Sequence, residues 1–241
     1  AKWLDFTLFQ SGPRRYDQTE LGAWDDNAAA EGCFGEDCWR YVERDYGKKP
    51  AKPVLDGEPS YEWVVQGLHD KKQPYWKAAD VRRYAYWNVF AGAAGHTYGH
   101  NSIMQFYDNL SEEGAFGARY LWSDAVHHPG GAQMIHLKRL MQSVDFTHGR
   151  PAEDYLLEEQ GGKYDYISVF AGEDFLFAYT YTGRTISLSL EHYQGKKLGA
   201  YWLDPVTGLQ TFICDVTGRM QMEFRPPERE DGTDAVLVIR T

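Results

Sequence analysis

The sequence is short of cysteine, of basic charge and of long apolar runs. Its 241 residues include three cysteines, Cys33, Cys38 and Cys214. Metal sites use tighter spacings and more ligands than these three provide. Cys33 and Cys38 are spaced to close a small loop, either as a disulfide or as two free thiols. Lys and Arg number 25 against 35 Asp and Glu, a formal net charge of −10. No run of Lys or Arg goes beyond pairs such as Lys48-Lys49 and Lys71-Lys72. Nucleic-acid binding needs a concentrated basic footprint, so that class of partner is excluded. No apolar stretch approaches the ~20 residues of a membrane-spanning helix, and none is expected. An initiator Met and a signal-like leader are also missing. The opening "AKWLDFTLFQSG" already reads as strand, so we expect further chain upstream.

What is present is an ordinary globular balance, 43% hydrophobic and 25% charged. Eight Trp, seventeen Tyr and twelve Phe make it rich in rings. Exposed rings beside polar groups suit flat, amphipathic ligands such as sugars, although large cores use rings too.

Two textures divide the chain. Before about residue 155, short apolar runs alternate with helical periods. "WLDFTLFQSG" (Trp3 to Gly12) and "PVLDGE" (Pro53 to Glu58) read as strands, and "CWRYVERDYGKK" between them as a helix ending before Pro50. Asp80 is placed to N-cap "VRRYAYWNVFAGAA", with Val81, Tyr84, Ala85, Asn88 and Val89 on one face. After "HHPGG" comes an amphipathic helix presenting Met134, Leu137, Met141 and Val144, with Leu140 beside them. From about Tyr166 the period shortens to two. Ile186, Leu188 and Leu190 alternate with polar residues, as do Met220, Met222 and Phe224, and "DPVTG" (Asp204 to Gly208) is a turn. Strand–helix repetition predicts parallel α/β architecture; the close-spaced strands predict a small antiparallel β domain. A (β/α)8 barrel takes ~250 residues, about 30 per unit. The three units seen here would be the last three of eight. The expected fold is therefore α/β plus all-β: the C-terminal portion of a TIM barrel over residues 1–160, then an antiparallel β-sandwich over residues 161–241.

Chemistry concentrates in "KPVLDGEPSYE" (Lys52 to Glu62). Functional groups of parallel barrels sit at strand C-termini and in the loops beyond. Gly57 permits a sharp turn there and Pro59 ends the ladder, which leaves Glu58 at the strand's mouth. A carboxylate so placed serves as nucleophile or base, or equally as a helix cap or an Arg partner. In "AGHTYGHNS", strand geometry would put His96, Tyr98 and His100 on one face. They would form either a wall for a hydroxylated ligand or a buried His–Tyr network. Helical geometry would make His96 and His100 a zinc-type pair, but Gly95 and Gly99 argue against a helix there. Gln10 and Ser11, in "FQSG", end the first strand near the same cleft. His127, His128 and Trp122 belong to a long loop, read as solvated more than as rim.

With these stretches in hand, the sequence resembles the apiosidase-like glycoside hydrolases. "KPVLDGEPSYE" followed by "NVFAGAAGHTYGHNSI" carries the resemblance for the barrel. "AYWLDPVTG", "FRPP" and "DAVLVI" carry it for a C-terminal β domain that bears a collagen-binding label. The resemblance implies a glycosidase with Glu58, on the seventh barrel strand, as catalytic carboxylate and nucleophile. It implies a sugar bound by His96, Tyr98 and His100, and we add Gln10, Ser11, Asp56, Tyr61 and Glu62 as substrate-binding candidates. Glu62 is suited to orienting a side chain. The partner carboxylate of such enzymes, an Asp after a Gly-Gly pair on the fourth strand, has no counterpart in this sequence. The implied substrate is an oligo- or polysaccharide, with no cofactor or metal, and the implied location secreted or periplasmic. A non-catalytic carbohydrate- or protein-binding module, or a metal-dependent hydrolase using the histidines, would be the rival. The residues say nothing of oligomeric state.

Overall fold

A computed structural model of the protein describes residues 3–17, 34–229 and 232–241. The chain forms two compact units, residues 1–89 with 93–134 and residues 90–92 with 135–241.

The first unit is built around a three-stranded parallel sheet, β1 (Thr7–Phe9), β2 (Val54–Asp56) and β5 (Gly95–His96), in that order. Helix α1 (Cys38–Tyr46) joins β1 to β2. Strands β3 (Val65–Gly67) and β4 (Asp70–Tyr75) pair with each other, and α2 (Ala78–Phe90) leads into β5. Then follow two single-turn helices, α3 (Asn101–Met104) and α4 (Trp122–Ala125), and the longer α5 (Pro129–Gln142). The register sets Phe9 beside Asp56 and Asp56 beside His96, so the C-terminal ends of all three strands lie together. This is an α/β arrangement of parallel strands with helical connections.

The helix boundaries follow from local bonding rather than from apolar period alone. Helix α2 starts at Ala78, two residues before Asp80: the Asp80 carboxylate accepts the Lys77 N–H at 2.8 Å from within the first turn. Nor does α2 present one apolar face. Every residue from Val81 to Asn88 is buried, arginines included. Arg83 reaches Glu36 at 2.6 Å and Arg82 reaches Gln133 at 2.5 Å, which satisfies charges that burial would otherwise penalise. Helix α5 takes Pro129 at its first position, where a missing N–H costs nothing, and absorbs the Gly-Gly pair into its first turn. The first strand is also shorter than its apolar run, covering Thr7–Phe9 rather than Trp3–Gly12. Cys38 is a buried thiol 3.8 Å from the Tyr84 carbonyl. Its potential partner Cys33 lies outside the described residues.

The second unit is antiparallel. Six strands run in the order β11 (Gln210–Asp215), β10 (Gly199–Leu203), β13 (Ala235–Arg240), β8 (Phe175–Thr180), β7 (Ile167–Ala171), β6 (Arg150–Pro151). A second pair joins β9 (Ile186–Ser189) to β12 (Gln221–Phe224). Period-two alternation sends Ile167 and Val169, Leu176 and Ala178, and Leu237 and Ile239 into one cluster with Ile186 and Leu188. The apolar core thus draws on both sheets. Between β10 and β11 the predicted turn forms: Asp204 accepts the Val206 N–H at 2.8 Å and the Thr207 hydroxyl at 2.7 Å, and Gly208 takes φ +75°. Among the described residues no helix is long and apolar enough to cross a membrane.

Candidate active site

Asp56 ends β2 and is fully buried. Because β1 runs parallel alongside, Ser11 arrives two residues past Phe9 and donates its hydroxyl to Asp56 Oδ2 at 2.5 Å. Asn88 of α2 donates to the same oxygen at 2.8 Å, and the Glu58 N–H to Oδ1 at 3.3 Å. Burial pushes the Asp56 carboxyl up to about 6, outweighing the donors that pull it down. Asp56 and Ser11 are therefore internal anchors rather than surfaces offered to a ligand. Gln10 is exposed, and its carbonyl accepts from Arg14 at 3.3 Å.

Glu58 behaves differently. A side chain at Gly57 would come within 2.7 Å of the Leu8 side chain, so glycine leaves Leu8 its place beside the strand end. The Glu58 backbone is then tied twice, by its N–H to Asp56 and by its carbonyl to the Gly12 N–H at 3.0 Å. Its side chain is exposed and makes no hydrogen bond or ion pair among the described residues. Tyr61 is half-buried nearby, its phenol raised by burial and then by the charge of Glu58.

Glu62 is 1% exposed. The Tyr98 hydroxyl donates to its Oε2 at 2.6 Å, and so does the Gly130 N–H of the α5 N-terminus at 3.1 Å. Burial still raises the carboxyl above the usual glutamate range. A Cβ on Gly130 would run into this carboxylate. Alanine inside a helix ordinarily stabilises by about 1 kcal/mol over glycine. Gly130→Ala should reverse that sign and destabilise by roughly 1–3 kcal/mol, measured by urea unfolding; a more stable variant would disprove the Glu62 contact.

The expected wall of His96, Tyr98 and His100 does not form. β5 ends at His96, so the period of two that would align the rings is lost after one residue. Tyr98 turns to Glu62, and His100 becomes the N-cap of α3, its Nδ1 accepting the Ser102 N–H at 3.1 Å. His100 Nε2 meets His128 Nδ1 at 2.9 Å, and burial lowers His100 to about 4. His96 has both ring nitrogens buried without hydrogen bonds, and burial lowers it to about 3. Among the described residues no three His, Cys, Asp or Glu side chains converge as metal ligands.

The sequence reading passed over Trp63 and undervalued His128. Trp63 follows Glu62 with φ +62°, a left-handed backbone that an aromatic residue rarely adopts and that recurs at functional sites. Lys77 Nζ sits 3.1 Å from its ring centroid, and Tyr120 packs edge-on at 4.7 Å. His128 lies 4.7 Å from Tyr120 and 5.8 Å from Trp63. A lone Trp after a Pro-Ser-Tyr-Glu run carries no pattern; its backbone conformation alone gives it away.

Two family descriptions match the sequence. "Apiosidase-like, catalytic domain" covers residues 1–148. The chain belongs to the apiosidase-like family. "Putative collagen-binding domain of a collagenase" matches residues 151–240 of this apiosidase-like chain. Among solved structures, a "Glycoside hydrolase" is 42% identical with a TM-score of 0.90, aligned over 100% of this chain and 53% of its own. A glycoside hydrolase family 5 protein from Bacteroides vulgatus ATCC 8482 is 40% identical, also at TM-score 0.90, over 99% and 51%. The chain thus spans about half the length of these relatives. No curated protein matches it.

Proposed function

We propose that the protein hydrolyses O-glycosidic bonds of plant cell-wall or related polysaccharides, with Glu58 as the catalytic carboxylate and nucleophile. The observation that carries this is the contrast among three neighbouring acids. Asp56 and Glu62 are buried and engaged, whereas Glu58 alone of the three projects unpartnered from the end of a parallel strand. Glycosidases place two carboxyl groups across the scissile bond, ~5–5.5 Å apart if configuration is retained. Glu58 would attack the anomeric carbon as its positive charge develops. The proton donor would come from the part of the relatives' length that this chain does not span. Glu62 and Tyr98 hold each other and serve orientation rather than proton transfer.

In this reading β1, β2 and β5 are the last parallel strands of a (β/α)8 barrel, and the antiparallel unit is an accessory β-sandwich. The outer strand β1 supports continuation of the sheet: Leu8 is more than half exposed, with Trp3, Leu4 and Phe6 exposed before it. Polymeric substrates put the site of action outside the cytoplasm, in the periplasm or medium. The test is release of reducing ends from a panel of cell-wall polysaccharides by the intact protein. Wild type releases them and Glu58→Gln does not; equal release by both removes the assignment.

A further inference from the structure

The His100–His128 pair has a direction that its surroundings impose. His100 Nδ1 accepts the Ser102 N–H at 3.1 Å. A backbone N–H can only donate, so this Nδ1 carries no proton, and the neutral ring holds its single proton on Nε2. That Nε2 lies 2.9 Å from His128 Nδ1, which must therefore accept. The proton of His128 is left on its own Nε2. The chain of donors runs one way: Ser102 N–H to His100, His100 to His128, and His128 outward.

His128 Nε2 makes no hydrogen bond among the described residues and is not one of the sealed, unpartnered atoms, so it stays open to solvent. Its ring packs T-shaped against Tyr120 at 4.7 Å and tilted against Trp63 at 5.8 Å. We propose that His128 is a substrate-binding residue whose Nε2–H is a fixed donor to a neutral sugar hydroxyl beside Glu62, its tautomer locked by His100. This deepens the glycosidase reading and rests on it. A hydroxyl oxygen fits the donor, because an N–H needs an acceptor and a sugar hydroxyl supplies one.

The titratable and charged groups that face His128 come from several elements. They are His100 on its Nδ1 side, the Tyr120 phenol, Glu62, and, beyond Trp63, Lys77 and Arg119. A second proton on His128 would point Nδ1–H at His100 Nε2–H and break the bond, since His100 cannot surrender its own proton. The ring therefore offers a donor outward without carrying charge.

The experiment has two readouts on the intact protein, labelled with 15N-histidine. Long-range 1H–15N correlation at pH 7, with His100→Gln and His128→Gln for assignment, should show both rings as Nε2–H tautomers. An Nδ1–H tautomer at His128 overturns the inference whether or not the protein is a glycosidase. On the cell-wall polysaccharide that wild type cleaves fastest, His128→Phe should raise KM about three- to tenfold and leave kcat within about threefold. His128→Gln, which keeps an N–H donor, should recover most of the loss. An unchanged KM in His128→Phe overturns the contact while leaving Glu58 in place. Absence of hydrolysis by wild type on every polysaccharide of the panel sinks the glycosidase reading, and the sugar contact with it, even if the tautomers are as expected; hydrolysis that survives Glu58→Gln removes the Glu58 assignment alone.

Discussion

Glu58→Gln should leave the protein folded and lower turnover of its polysaccharide by at least about a thousandfold. The size follows from what amide chemistry removes: a nucleophile, or a group that carries proton transfer, is worth roughly 10²–10⁴-fold and more when no other group can stand in. No substitute is at hand. Asp56 is enclosed by Ser11 and Asn88, and Glu62 by Tyr98 and Gly130. The fold should not notice, because the Glu58 side chain is exposed and the bonds its residue makes belong to the backbone. Unchanged thermal unfolding together with lost reducing-end release is the expected pair of results. Retained turnover would assign the chemistry elsewhere, and lost folding would make Glu58 a structural residue.

Asp56→Ala should act in the opposite way, on stability first. It strips a common acceptor from the Ser11 hydroxyl, the Asn88 amide and the Glu58 N–H, all at one buried point. Unsatisfied buried donors cost about 1–3 kcal/mol each, with sharing and relaxation reducing the sum to about 2–5 kcal/mol. Urea unfolding should show it, and a change below 1 kcal/mol would mean that these bonds are not formed. The carboxyl also predicts a pH signature. Its folded value, about 6, lies above the ordinary 3.8. A raised acid favours the folded state when protonated, so its contribution is complete below about pH 4 and is lost as pH rises through 6. At about 1.4 kcal/mol per unit the loss is about 3 kcal/mol at most. The stability of wild type minus that of Asp56→Asn should therefore fall between pH 4 and pH 7. A flat difference would show that Asp56 is not desolvated in solution.

What could be read from the sequence was what short-range pattern encodes. The apolar Val54–Asp56 run with Gly57 and Pro59 behind it marked a strand end and put Glu58 at its tip. Alternation marked Ile186 and Leu188, and Asp204 with Gly208 marked the turn between β10 and β11. Long-range pairing has no such trace. Ser11 and Asp56 are 45 residues apart and His100 and His128 are 28 apart, and neither pair lies on a shared periodic element. The β3–β4 pair escaped notice because Asp-Lys-Lys-Gln-Pro-Tyr shows no apolar alternation. The aligned face expected for His96, Tyr98 and His100 failed because strand geometry was extended past the single strand residue, His96, that the backbone sustains. The α2 face named from the sequence is buried from Val81 to Asn88, but so are Arg82 and Arg83, whose partners Gln133 and Glu36 lie far off in the sequence.

The double tether on the Glu58 backbone has a consequence for reach. With Gly12 gripping its carbonyl and Asp56 its amide, the residue is a post that cannot lean, and only the arm can move. Aspartate at this position keeps the charge but withdraws it by one methylene, about 1.5 Å, and the post cannot step forward to make up the gap. A shortfall of about 1 Å in a reacting group is enough to cost on the order of a hundredfold. Glu58→Asp is accordingly expected to lose on the order of a hundredfold, short of the loss in Glu58→Gln, so that this strand end holds arm length constant as well as acidity.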